Sequence, residues 1–381
     1  MLTISSRLPD IGTTIFDVMT KMANEQGAIN LSQGFPDFDI DPELVSLVHE
    51  FMAKGHNQYA SMPGVAALRQ KLAEIVLQSF QNPVSWETEI TVTSGATEGI
   101  FACISAFISP GDEVILFDPA YDSYDPAIRL NGGIPIQINL NYPDFSIDWD
   151  LVRKKISPKT RMIMVNSPHN PTGSVRSRKD LEELESIALK HNLIVLSDEV
   201  YERLMFDNLT HQSVLRLPGL ASQSLAVFSF GKTFHATGWK VGYVVAPEYL
   251  SREVRKTHQF IVYSVNTPIQ YALAEYLKEA GRYTGLGKFY QQKRDFFLDQ
   301  MKGSSFEPLK SKGSYFQVFS YRNISDKPDI EMAEEMTRKH KVACIPVSVF
   351  YKDRTDNRLL RFCFAKKQET LEKATAILKK I

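Results

Sequence analysis

SFGKTFHATGWKVG, residues 229–242, contains Gly231-Lys232-Thr233, the ending of a phosphate-binding P-loop. A P-loop needs G-x-x-x-x-G-K-[ST], so a glycine must stand five positions before Gly231. That position is Ala226, inside the apolar run LAVFS. A Cβ there obstructs the glycine-rich turn whose N–H groups cradle phosphate. The rest of the stretch, TGWKVG, has no part in that motif either. Lys232 needs another explanation.

Working outward, the apolar run before Lys232 is one of several that read as buried strands: 113–117, 134–140, 161–166, 193–197, 225–229 and 241–246. Helical periodicity runs through 42–54, 65–80, 96–108, 179–191 and 249–260. Between residues 95 and 247 strands and helices mostly alternate, which predicts an α/β layer fold with a mainly parallel sheet. After about residue 280 strands return at 314–320, 343–347 and 359–364, before a final amphipathic helix at 369–380. That pattern predicts a smaller α+β domain. The expected organisation is an N-terminal arm with part of the small domain at 1–43, a large domain at 44–280 and the C-terminal small domain at 281–381.

Composition narrows the class. The 381 residues carry 44 basic and 44 acidic side chains, 43% hydrophobic and 23% charged residues. A balanced charge gives no footprint for nucleic acid or an anionic membrane. No apolar run approaches the roughly 20 residues that span a bilayer, and the first 20 residues lack the apolar core of a signal peptide. Three widely spaced cysteines, Cys103, Cys344 and Cys363, form no C-x-x-C and read as reduced, packed thiols. The expected location is the cytoplasm.

In open α/β sheets ligands bind beyond the carboxyl ends of the strands. At those positions the chain offers SGAT (94–97) opening a helix, DPAY (118–121), NSPHNP (166–171), DEVY (198–201) and SFGK (229–232). A lysine at a strand end among apolar residues has its pKa lowered and becomes a nucleophilic amine. The carbonyl such an amine most often captures is that of pyridoxal 5′-phosphate. That cofactor needs a Schiff-base lysine, an acid for its ring nitrogen and a helix N-terminus for its phosphate. Lys232, Asp198 and the helix start at Ala96–Thr97 would supply the three.

The chain resembles the fold-type I pyridoxal-phosphate aminotransferases, in the branch holding the kynurenine/glutamine and methionine enzymes. The resemblance covers nearly all of it: NLSQGFPDF (30–38), NQY (57–59), GDEV (111–114), NSPHNPTG (166–173), SDEVY (197–201), SFGKTFHATGWKVG, GSYF (313–316) and RFCF (361–364). It implies that Lys232 bonds the cofactor aldehyde and shuttles the substrate proton, and that Asp198 pairs with the ring nitrogen. Tyr201 and Asn170 would donate to the ring's phenolic oxygen, and Tyr121 would stack on the ring. Ala96, Thr97, Ser229 and Lys240 would hold the phosphate, with Tyr59 reaching the phosphate of the neighbouring subunit in a homodimer. Arg361, supported by Asn166, would clamp the substrate carboxylate, a job that suits a guanidinium fork. Gly34, Phe16, Tyr263 and Phe350 are expected around the substrate. Lys240 stands where many relatives have arginine, and His169 where a second asparagine is common.

Each residue also has a plainer reading. Asp198 is a common helix-cap type, Arg361 suits an exposed strand edge, and Asn166 and Asn170 beside prolines suit turns. Tyr59 and Tyr121 suit ordinary packing, and His211, His235 and His258 lack metal-ligand spacing.

Among reactions, a fixed carboxylate favours loss of the α-proton, hence ping-pong transamination between an L-amino acid and a 2-oxo acid. Residues 260–266 offer no second cation, and Phe16 and Phe350 add aromatic surface. The expected donors are therefore apolar, thioether or aromatic: methionine first, then phenylalanine, tyrosine, kynurenine and glutamine. The alternatives are a β-lyase acting on cysteine conjugates and a non-catalytic, cofactor-binding regulator. A regulator of that kind carries a DNA-binding module, for which no room is expected before about Gly12.

Overall fold

The computed structural model describes residues 5–381, so the first four residues of the expected N-terminal arm lie outside it. Seven strands make the main sheet: β1 (Ile90–Thr93), β2 (Glu113–Asp118), β3 (Ile134–Asn139), β4 (Thr160–Asn166), β5 (Ile194–Asp198), β6 (Ser224–Ser229) and β7 (Gly242–Val245). Their order is β1-β7-β6-β5-β4-β2-β3. The block β6-β5-β4-β2-β3 is parallel throughout, while β7 runs antiparallel to both β6 and β1. Two reversals restore direction, so β1 ends at the same edge as β4, β5 and β6. β7 starts at that edge.

The central strands are apolar and buried along their length, as a sheet covered on both faces requires. Helix α1 (Gly95–Phe107) lies on one face. Ile100, Cys103 and Ile104, spaced three and four apart, are fully or almost fully buried beneath it. Burying each isoleucine contributes about 1.5–3 kcal/mol. The opposite face is covered in part by helices Ala66–Phe80 and Arg178–His191. Arg178–His191 starts on a capping box between Ser177 and Asp180.

A second, four-stranded sheet contains Glu307–Pro308, Phe316–Ser320, Ile345–Pro346 and Leu359–Cys363, all paired antiparallel. The N-terminal strand Ile29–Asn30 pairs with Val342–Ala343, so the start of the chain joins this C-terminal region.

Most of the expected elements are present within two residues of their predicted ends. Two differences have clear causes. Ile90–Thr93 is a strand that the periodicity did not reveal, because four residues ending directly on Ser94 and α1 are too short to show a period. The single run expected at 343–347 is split into Val342–Ala343 and Ile345–Pro346, in different sheets, then a 3-10 turn Val347–Phe350. Pro346 lacks the N–H that would continue the ladder.

Candidate active site

Ser229 and Gly242 stand directly opposite each other across β6 and β7. The whole of SFGKTFHATGWKVG is thus one connection between neighbouring strands, closed at the sheet edge where β1, β4 and β5 also end. A cavity of about 230 Å³ opens there. It is lined by Phe16, Gly34, Ala96, Thr97, Tyr121, Asn166, Asn170, Asp198, Tyr201, Ser229, Lys232, Lys240 and Arg361, all of them expected from the sequence.

At one end is the start of α1. Ser94 makes no side-chain cap to the helix, so the first N–H groups of the helix have neither cap nor intrahelical partner. Glu98 instead accepts the Ser94 N–H at 2.9 Å. Two glycines bring the helix close. Gly95 has φ +75° and a Cβ there would sit 3.4 Å from Lys240 Nζ; a Cβ on Gly242 would lie 2.5 Å from the Phe228 carbonyl and 3.0 Å from the Ala96 nitrogen. Helix N–H groups, an exposed lysine and Ser229 together make an anion cradle.

Asp198, at the end of β5, is buried. It accepts from the Tyr124 hydroxyl at 2.5 Å and from the Val200 N–H at 3.2 Å. Burial raises its carboxyl to about 6, against those hydrogen bonds. Burial lowers Lys232 to about 8, and its Nζ donates to the Gly34 carbonyl at 2.9 Å while lying over the Tyr201 and Tyr315 rings. Desolvation also lifts Tyr121 to about 12. A buried carboxylate, an amine with a lowered pKa and a helix-end cradle share one cavity. This donor set fits pyridoxal phosphate: anion sites for its phosphate, an acid for its ring nitrogen, an amine for its aldehyde.

At the far end Arg361 is wholly buried, and burial pulls it down to about 10. Nη1 donates to Asn170 Oδ1 and Nη2 to the Ser32 carbonyl, each at 2.8 Å, and Nε is without a partner. Its Cζ lies 3.9 Å from the Phe316 ring centre and 5.2 Å and 5.4 Å from those of Phe16 and Phe350. Strand pairing explains the closest contact. Phe316 is opposite Cys363, and Arg361 is two residues along on the same face.

Three expectations need correction. Asn170, not Asn166, touches Arg361. The Asn166 amide is used locally, donating to the Asp198 carbonyl and accepting from the Asn170 N–H, each at 2.8 Å. Phe350 is buried behind Phe16 and Arg361 and does not line the cavity. Tyr263 is half exposed and packs edge-on against Tyr59, away from the cavity of its own chain. Tyr59 is 82% exposed and is likewise away from that cavity. His169, standing where a second asparagine is common, is buried against Thr172 with its pKa pushed well down by desolvation.

Sequence reasoning missed Tyr124, Gln33, Phe35 and Phe316. Tyr124 carried a signal: in DPAYDSY it opens helix Tyr124–Leu130 three residues after Tyr121, close enough to share the site.

The profile of the family described as aminotransferase class I and II matches residues 26–378. The chain belongs to this family and is a pyridoxal-phosphate-dependent aminotransferase. It is 45% identical over 377 residues to the methionine aminotransferase of Escherichia coli K12, spanning 99% of this chain and 98% of that protein. The crystal structure of that E. coli methionine aminotransferase superposes with a TM-score of 0.98 over all of both chains. The N-succinyldiaminopimelate aminotransferase of Mycobacterium tuberculosis superposes with a TM-score of 0.95 at 35% identity, over 99% of this chain and 100% of that one. The kynurenine–oxoglutarate transaminase of Dictyostelium discoideum is 32% identical, over 97% of this chain and 94% of that protein.

Proposed function

We propose that the chain transfers amino groups from L-amino acids with thioether, apolar or aromatic side chains, methionine first, to a 2-oxo acid. The observation that carries the donor class is the charge of the cavity. Among the described residues its cationic lining consists of Lys232, Lys240 and Arg361, each suited to a task common to all amino donors. None is left for a side-chain carboxylate, while Phe16, Phe35, Tyr121 and Phe316 supply aromatic wall.

When bound, pyridoxal phosphate supplies an aldehyde for the amino group and a ring that accepts the electrons released at the substrate Cα. The first turn of α1, Ser229 and Lys240 would hold its phosphate, and Asp198, kept in place by Tyr124, would hold its ring nitrogen. Tyr121 would cover the ring. Asn170 has Oδ1 engaged with Arg361, so its Nδ2 is the atom left to donate to the ring's phenolic oxygen, as the Tyr201 hydroxyl would. Arg361 binds the substrate carboxylate and fixes the direction of the Cα–H bond. Lys232 Nζ, with its pKa brought near 8, takes that proton and returns one, as a general base working near neutral pH.

Residues 44–280 would form the large domain and 281–381, joined by the arm, the small one. The aromatic surface made by Tyr59, Phe260 and Tyr263, from half to 86% exposed, supports a homodimer in which Tyr59 serves the partner's site. Three buried free cysteines support a reducing, cytoplasmic location.

The test is the visible absorption of the cofactor-loaded protein before and after L-methionine. The wild type should pass from the aldehyde to the amine form of the cofactor. Lys232→Ala should lose at least about 10²–10⁴-fold in that rate. Faster conversion by aspartate than by methionine, phenylalanine or kynurenine would sink the donor assignment.

A further inference from the structure

Loop Ser32–Phe35 offers three backbone carbonyls to three basic side chains. Arg361 Nη2 donates to Ser32 at 2.8 Å, Lys232 Nζ to Gly34 at 2.9 Å and Lys366 Nζ to Phe35 at 2.9 Å. The three come from a strand of the small sheet, the β6–β7 connection and the segment after Leu359–Cys363. Lys366 has no part in the chemistry described above. It is only 3% exposed, its ammonium lies 5.0 Å from the Phe35 ring centre, and its own carbonyl accepts Lys293 Nζ at 2.8 Å. Just beyond, Asp37 accepts from the Lys367 N–H and, at 2.7 Å, from Thr370 Oγ1.

A buried ammonium is unfavourable unless its donors are used. Lys366 uses one on the carbonyl of a cavity-wall residue and places its charge over that residue's ring, a cation–π contact. Both interactions act on Phe35, which lines the cavity yet is 44% exposed. Exposed loop aromatics need such tethers to keep one position.

We propose that Lys366 is a positioning residue that holds Phe35 as a fixed wall for the substrate side chain. The inference rests on the aminotransferase reading of Lys232. In that reading the Lys232 amine must leave the Gly34 carbonyl to meet the cofactor's aldehyde, so one of the three ties is lost on loading. Arg361 keeps the Ser32 end. Lys366 alone of the three donors keeps the Phe35 end, and the wall stays in place while Lys232 moves.

Lys366→Met tests this by two readouts. Hydrogen exchange over residues 32–38 of the cofactor-free protein should speed up by about tenfold on loss of a charged hydrogen bond. KM for L-methionine should rise about tenfold with kcat held within about threefold, the signature of lost binding rather than lost chemistry. Phe35→Ala should raise KM similarly, and the double variant should be no worse than either single one. Lys366→Arg should restore both readouts and stands in if the Met variant fails to fold, since its KM should stay at the wild-type value while Phe35→Ala raises it. Unchanged exchange, or faster exchange with unchanged KM, overturns the proposal. If wild-type protein leaves methionine unconverted, the donor reading fails, and the exchange comparison still decides whether Lys366 tethers the loop.

Discussion

At one end of the cavity the donors are backbone N–H groups of α1, brought into place by Gly95 and Gly242. At the other, Arg361 sits among Ser32, Asn170, Phe316 and Phe350, drawn from segments far apart in the chain. The first end follows from sheet register: once β1, β6 and β7 pair, the helix start has nowhere else to go. The second depends on several side chains holding one guanidinium, so removing any of them leaves a buried charge poorly matched. Register makes the cofactor end robust. Packing makes the substrate end sensitive.

Arg361→Met gives the largest break in that comparison. Losing one partner of a buried charge pair costs about 2–5 kcal/mol, so kcat/KM for methionine should fall roughly 30- to 5,000-fold. Cofactor affinity, measured by titration, should stay near the wild-type value; a parallel fall would mean the two ends are not independent.

Asp198 stands between the ends and sharpens the contrast by pH. Its carboxyl is raised by burial to about 6, above the roughly 3.9 of an unfolded aspartate. In the cofactor-free chain its contribution to stability is therefore complete below about pH 4 and is lost as pH rises through about 6, a difference of about 3 kcal/mol. Asp198→Asn should remove that part of the slope and make the cofactor-free protein more stable than wild type at pH 7, while weakening cofactor binding. Asp118 and Asp329, also raised to about 6 by burial, keep their share of the slope. Thermal unfolding at pH 4 and pH 7 is the check, and equal destabilisation at both would rule the account out.

Gly242→Ala gives the smallest effect. The new Cβ would press on the Phe228 carbonyl and the Ala96 nitrogen, and overpacking of this kind costs about 1–3 kcal/mol. Cofactor affinity should fall about tenfold or more with KM for methionine unchanged. A rise in KM without loss of cofactor would contradict the division between the ends.

The same division explains what could be read in advance. Asp198, Ser229 and Lys232 were legible because they stand at or just after the ends of apolar runs, and strand ends in such folds face one crevice. The family motifs added Arg361, Tyr201 and Asn170. The short strand Ile90–Thr93 was missed, although α1 after it was not. Phe316 and Phe35 were hidden because their roles come from meeting segments distant in sequence. Phe35 and Lys366 are 331 positions apart, and no local period encodes that contact. The assignment of the Arg361 contact to Asn170 rather than Asn166 has the same origin. Both are asparagines beside prolines, and only the fold around Arg361 determines which amide it meets.

The pairing of Ser229 with Gly242 has a consequence for anyone who would rebuild this protein. The connection between them leaves and re-enters the sheet at facing positions, so it behaves as a cassette with fixed ends. Lys232 and Lys240 travel together inside it. A redesigned cassette of equal length should drop into the same two strands without shifting any register, carrying the reactive amine and the phosphate-side amine as one portable unit.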